Sequence, residues 1–217
     1  MSPMPEVKSE ASISVLLVDD HGLVRRGFRR MLEDDPTIRV IGEAEDGHEA
    51  VAMAARLRPK VVVMDFALPS MNGAVAARQI LRNAPETAIL ILSMHSEPSY
   101  VRTCLDAGTR GYLLKNAMDL EMVGAVKQVA AGKQVLDPRL GAIDNKRGAG
   151  EPQLTTRELE VLQLIVHGKS NKEIAVVLTL SANTVAVHRA NIMQTLDIHN
   201  TAELVVHAIR RGLVSIA

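Results

Sequence analysis

Asp19, Asp20, Asp65, Ser93 and Lys115 are the residues of this chain whose types could combine into one chemistry. Clustered carboxylates repel one another unless a cation neutralises them, and hard oxygen ligands with open positions suit Mg2+. A lysine supplies point charge for a phosphate, a serine hydroxyl supplies one hydrogen bond, and a carboxylate can act as the nucleophile. Any one of them, taken alone, reads as an ordinary turn former or helix cap at the end of a strand. As a set they describe a site that carries phosphate on a carboxylate, with Asp65 as acceptor.

Each of these groups closes a run of buried-strand character. Ser14 to Val18 runs into Asp19-Asp20, Val61 to Met64 into Asp65, Ala88 to Leu92 into Ser93, and Gly111 to Leu114 into Lys115. Ile38 to Ala44 is a further strand. Helical patterns lie between them. The first turns Leu23, Phe28, Met31 and Leu32 to one side, with Arg25, Arg26, Arg29 and Arg30 read as a solvated face. The last, Asp119 to Ala131, turns Leu120, Val123, Val126 and Val129 inward. Five strands alternating with five helices imply right-handed crossovers and a doubly wound, flavodoxin-like α/β domain with a five-stranded parallel sheet. In such a sheet the strand ends point one way, so the polar groups can converge.

The chain then changes character. Gly141 to Gly150 is Gly-rich and charged without periodicity, and reads as linker. Beyond it only helical patterns follow: one capped by Thr155 or Thr156, one over Asn171 to Leu178, one from Ala182 to about Leu196, and one over Thr201 to Arg211. The second and third, joined by the turn Thr179-Leu180-Ser181, form a helix-turn-helix in an all-α domain. The expected organisation is a leader over 1–12, an α/β domain over 13–132, a linker over 133–152 and a helical domain over 153–217.

Composition narrows the classes. With 47% hydrophobic residues the 217-residue chain can bury a core, while 2% aromatics leave that core aliphatic and supply few base-stacking platforms. Formal net charge is zero, so the whole chain has no electrostatic bias toward polyanions. The single cysteine, Cys104, cannot form an internal disulfide and reads as a buried hydrophobe. No signal-peptide core and no membrane-length apolar run occurs, so a cytoplasmic protein without a membrane partner is expected. His21 and His95 read as loop or surface residues, since no spaced partner histidine accompanies them.

The runs Val18-Asp19-Asp20, Met64-Asp65 with Leu68-Pro69 and Met71-Asn72-Gly73, Leu92-Ser93, and Gly111 to Lys115 closely resemble the receiver domain of two-component response regulators. That resemblance implies that Asp65 accepts a phosphoryl group from a sensor histidine kinase. It implies that Asp20 ligates Mg2+ directly and Asp19 through water, with Asp65 and the Ala67 carbonyl as the other protein ligands. Ser93 and Lys115 would hold the phosphate, and Tyr112 would be the aromatic whose packing reports the state. Leu154 to Glu158, Gly168 to Ala175, and Leu180-Ser181 with Thr184-Val185 to His188 resemble the LuxR-type helix-turn-helix of NarL/FixJ regulators. The implied function is phosphorylation-controlled regulation of transcription on double-stranded DNA by a homodimer, and not catalysis as an enzyme.

Helical geometry sorts the third helix of the tail. Val185, His188, Ile192 and Leu196 share an inward side, and Asn183, Ala186, Val187, Ala190, Asn191 and Gln194 the opposite one. Asn and Gln can pair with adenine, and Val or Ala can touch a thymine methyl. Many relatives carry lysines where Ala186, Ala190 and Thr195 stand, so phosphate contacts fall to Lys169, Lys172, Arg189 and the capping turn from Ser181 to Thr184. From 151 onward six basic residues face six acidic ones. A neutral module pulls weakly on a polyanion, so useful affinity is expected only from two copies on two half-sites. The apolar stripe Leu204, Val205, Ala208 and Ile209 is a candidate surface for pairing. A phosphatase passing through aspartyl-phosphate is disfavoured, because such enzymes use a second Asp where Ala67 stands. A tail that binds protein or RNA remains the rival reading.

Overall fold

The computed structural model describes residues 12–69, 71–115, 121–140 and 154–214. The expected leader up to residue 11, the linker from 141, and Leu120 lie outside them. Six strands form one parallel sheet: β1 (Ile13–Val18), β2 (Ile38–Ala44), β3 (Val61–Asp65), β4 (Ala88–Ser93), β5 (Gly111–Leu114) and β6 (Val135–Leu136). Their order is β2-β1-β3-β4-β5-β6. The chain thus winds one way to β2 and the other way from β3 onward, and the reversal lies between β1 and β3. Ligand-binding groups collect at the strand carboxyl ends beside such a reversal. Asp19 follows β1 and Asp65 closes β3 there.

The strands are aliphatic because both faces are covered. Every residue of β3 and β4 is buried. Along β1, Val15 and Leu17 enter one core while Leu16 and Val18 enter the other, the period-two split of a strand between two helical layers. Helices α1 (Gly22–Glu33) and α5 (Met122–Ala130) cover one face. Helices α2 (Gly47–Leu57), α3 (Gly73–Asn83) and α4 (Pro98–Asp106) cover the other. Sequence periodicity gave α1 one residue too many: Phe28, Met31 and Leu32 pack inward, but Leu23 is 78% exposed at the first turn.

Residues 133–140 also depart from the expectation of linker from 133. Val135–Leu136 adds a sixth parallel strand to β5, in register Gly111 with Val135 and Tyr112 with Leu136, and a 3-10 turn, Pro138–Leu140, follows. A two-residue strand carries too little alternation to be read from sequence. It forms because the outer edge of β5 otherwise leaves its peptide groups unpaired.

The helical domain contains α6 (Thr156–Val166), α7 (Asn171–Val177), α8 (Ala182–Thr195) and α9 (Thr201–Arg210). Thr155 with Glu158 and Ser170 with Glu173 form capping boxes, Ser181 accepts from the Thr184 N–H, and Asn200 from the Glu203 N–H. Leu159, Leu162, Leu164 and Ile165 are buried as expected, and Val161, between the last two on the helix surface, is buried as well. The helical domain also packs on the α/β domain. Gln79 of α3 donates to Glu160 Oε1 at 2.9 Å, Asn72 Nδ2 to the Leu213 carbonyl at 2.8 Å, and the Tyr100 hydroxyl to the Ile209 carbonyl at 3.4 Å.

Candidate phosphate pocket and DNA-reading face

Of the four strand ends that the sequence implied would converge, three are joined directly. Lys115 Nζ lies 2.6 Å from Asp65 Oδ2 and 2.8 Å from Asp19 Oδ2, so one ammonium bridges the ends of β5, β3 and β1. Asp19 and Asp65 are buried. Burial pushes the Asp65 carboxyl above its ordinary value, and the neighbouring Asp19 charge adds to that; Lys115 opposes it. Burial alone would depress the Lys115 ammonium, but the two carboxylates more than reverse this and keep it charged. The site therefore holds more negative charge than one lysine cancels.

Asp20 extends that imbalance. Its Oδ1 is buried and makes no aligned hydrogen bond, although the His21 Nδ1 stands 2.8 Å away. Ligand oxygens of Asp19, Asp20 and Asp65 and a ring nitrogen of His21 lie within 4.8 Å of one another. Three clustered carboxylates, met by one lysine, are the donor set a hard divalent cation accepts. His21, expected as a plain loop residue, instead stands against this cluster, with Nδ1 2.8 Å from Asp20 Oδ1 and its backbone N–H donating to Asp19 Oδ1. Its ring remains largely exposed. Ala67, expected to contribute its carbonyl, donates its N–H to Asp65 Oδ1 at 3.2 Å.

Ser93 is buried at the end of β4, where its Oγ accepts the His95 N–H at 3.0 Å. Tyr112 is fully buried in β5, and its hydroxyl donates to the His95 carbonyl at 2.8 Å. Burial pushes its phenol far above the ordinary range. His95 in turn stacks on Tyr100, and Phe66, one residue past Asp65, meets both rings edge-on.

Three residues to which the sequence reading assigned no role in the pocket support this geometry. Arg25, taken as solvated, binds the Asp19 carbonyl at 2.5 Å while pairing with Glu43 and Glu45. The other α1 arginines do not all share that role, and Arg29 pairs with Glu33 and Glu43. Gly73 opens α3 where a Cβ would sit 2.7 Å from the Asp65 carbonyl oxygen, so only glycine lets α3 start against the acceptor residue. Asn72 caps α3 and also holds Leu213. Cys104 is buried, as expected, with its thiol pushed well up.

In the helical domain, Asn183, Ala186, Val187, Ala190, Asn191 and Gln194 are all exposed on α8, and Val185 and Ile192 are buried opposite. Lys169 and Lys172 are exposed near the turn into α7. Thr184 is half-buried in the α8 cap. Arg189, expected at a phosphate, donates to Asn171 Oδ1 at 3.1 Å and Thr201 Oγ1 at 3.0 Å, bracing α7 and α9 onto α8. The candidate pairing stripe is also corrected. Leu204 and Ala208 are fully buried in the core of their own chain, and Val205 and Ile209 pack partly against it. On α9 the apolar side chain left most exposed is Val206, at 47%.

Among the described residues no helix is long and apolar enough to cross a membrane. Comparison with known families matches residues 15–127 to the response regulator receiver domain and 152–208 to the bacterial regulatory proteins of the luxR family. The transcriptional regulatory protein LiaR of Bacillus subtilis is 38% identical over 210 residues, covering 94% of this chain and all of LiaR. A receiver domain of the putative response regulator NarL from Mycobacterium tuberculosis is 36% identical with a TM-score of 0.54, over 56% of this chain and 98% of that one. A structure of the response regulator RcsB with DNA is 26% identical with a TM-score of 0.59, over 92% of this chain and 98% of that one.

Proposed function

This chain belongs to the two-component response regulators that join a receiver domain to a luxR-family regulatory domain, and from that premise we propose that it switches transcription by carrying phosphate on Asp65. The observation that carries the proposal is the Lys115 ammonium set between Asp65 and Asp19, with Asp20 and His21 clustered beside them. Asp65 is the nucleophile: one of its carboxylate oxygens forms the new bond to phosphorus as the bond to the histidine nitrogen of a kinase breaks. Asp19, Asp20, Asp65 and the Ala67 carbonyl would hold Mg2+, which supplies positive charge for the phosphoryl oxygens. Lys115 turns from its carboxylate partners to the incoming phosphoryl group, and Ser93 gives it a hydroxyl hydrogen bond. Tyr112 reports the change through the His95 carbonyl that it already holds.

The output is sequence-specific binding of double-stranded DNA by the α8 face, with Asn183, Asn191 and Gln194 toward base edges and Val187 toward a thymine methyl. Lys169, Lys172 and the N–H groups of the α8 cap serve phosphates. Arg189 serves by holding the three helices together. The working domains are 13–140 for the receiver, including β6, and 153–217 for the output module, in a cytoplasmic regulator and not an enzyme.

Docking on α3 and α4 uses the end of α9 and leaves the α8 face open. The receiver therefore restrains pairing of the neutral output modules instead of covering their reading face. Phosphorylation shifts that two-state balance toward the released, dimeric form. The test is labelling with acetyl phosphate and Mg2+, followed by a mobility-shift selection on random duplexes. Wild type should take up label and gain duplex affinity with it, and Asp65→Asn should do neither. Equal labelling of the two proteins would end the proposal, and failure of the labelled protein to select any duplex would favour the rival tail.

A further inference from the structure

We propose that Asp137 is a positioning residue for the phosphate pocket: it fixes the end of β5 that carries Tyr112 and Lys115. This rests on the reading of Asp65 as phosphoacceptor and deepens it. The Asp137 N–H donates to the Tyr112 carbonyl at 2.9 Å, and Asp137 Oδ2 accepts the Leu114 N–H at 3.0 Å. The two bonds straddle Leu113 and end one residue before Lys115. Among the described residues Asp137 is the one that makes them, because β6 ends at Leu136 and Pro138 has no N–H to offer.

A turn cap would need only one of the carboxylate oxygens. Oδ1 makes that cap, accepting the Arg139 N–H at 3.0 Å and Arg139 Nε at 2.7 Å. Oδ2 reaches across to β5 while Arg139 Nη2 pairs with it. The Asp137 side chain is wholly buried. Burying a carboxylate is costly unless it is neutralised and fully hydrogen-bonded, so its second oxygen has a use that an apolar residue could not fill. That use is to hold the Leu114 peptide, from which the Lys115 stem departs toward Asp65.

Small misplacements of a group that meets a reacting centre cost up to about a hundredfold. The full chain is titrated calorimetrically with Mg2+ alone, and then with beryllofluoride, a phosphoryl mimic, at saturating Mg2+. The metal needs the carboxylates, whereas the mimic also needs Lys115. Asp137→Ala should weaken beryllofluoride about tenfold and leave Mg2+ affinity within about twofold. Asp137→Asn keeps an oxygen for the Leu114 N–H and should bind beryllofluoride within about threefold of wild type. Should the alanine protein fail to fold, Asp137→Ser still caps Arg139, falls short of Leu114, and should show the same split. Wild-type beryllofluoride affinity in the alanine or serine variant, parallel loss of both ligands, or no rescue by asparagine would overturn the assignment. A wild type that takes Mg2+ but no beryllofluoride would instead overturn the phosphoacceptor reading.

Discussion

A lysine shared between two buried carboxylates and a buried aspartate tied to an arginine illustrate opposite uses of charge within one domain. Around Asp65 the negative charge is left in excess, which makes room for a cation, while burial first and the Asp19 charge after it raise the Asp65 carboxyl. Around Asp137 it is fully met. Arg139 first, and then the Leu114 and Arg139 N–H groups, hold that carboxyl at about 2 against an ordinary 3.8. A depressed carboxyl stabilises the fold above its unfolded value and loses that contribution as pH falls through the folded one. Asp137→Asn should therefore be less stable than wild type by about 1 to 2 kcal/mol above pH 4, a range reduced because Arg139 is 39% exposed. The gap should close as pH falls from about 4 to about 2, which denaturant melts at several pH values would measure. A gap that persists unchanged at pH 2 would count against the ion pair as its source.

At the scale of elements, α8 separates reading from support. Its outward residues are exposed, so Asn191→Ala should leave the melting temperature unchanged and cost about 1 to 3 kcal/mol of specific binding, measured on the selected duplex. Arg189→Ala should behave in the opposite sense. Removing the guanidinium frees Asn171 and Thr201 at the junction of three helices, and about 1 to 2 kcal/mol of stability should go with the lost hydrogen bonds. Calorimetric melting of the full chain separates the two. An Arg189→Ala protein with unchanged melting and a lowered salt slope would restore the phosphate role that sequence alone suggested.

The whole molecule adds the contact between domains, and its chemistry offers a reversible perturbation. Gln79 donates to Glu160, a buried carboxylate that also pairs with Arg157. Gln79→Glu places two carboxylates face to face and should release the output domain, raising duplex binding without phosphodonor about fivefold to tenfold. Adding Glu160→Gln restores a donor to the pair and should return binding to the resting level. Mobility shifts with the two variants decide it, and an unchanged resting affinity in Gln79→Glu would mean that docking does not restrain the output. Coupling of this kind is reciprocal, so the released form should also favour the phosphorylated state.

Most elements, and the grouping of carboxylates with a lysine at the strand ends, are legible in local sequence, though β6 is not. Aliphatic runs ending at Asp19, Asp65, Ser93 and Lys115 left only parallel strands with converging ends, and the cap candidates Thr155 or Thr156 and Ser181 marked helices of the output module. Those signals are local, carried by period and by neighbouring residues. Tertiary structure decided what depends on surroundings far along the chain. Leu23 has the periodicity of a core residue but lies beyond the reach of the sheet, and Leu204 and Ala208 have the spacing of an interface but fill their own core. Arg25 and Arg189 look like free surface charge until Glu43 and Thr201 are brought beside them. Asp137 shows the same limit most sharply: its partner Leu114 is 23 residues away, and only the closing of β6 onto β5 brings the two together.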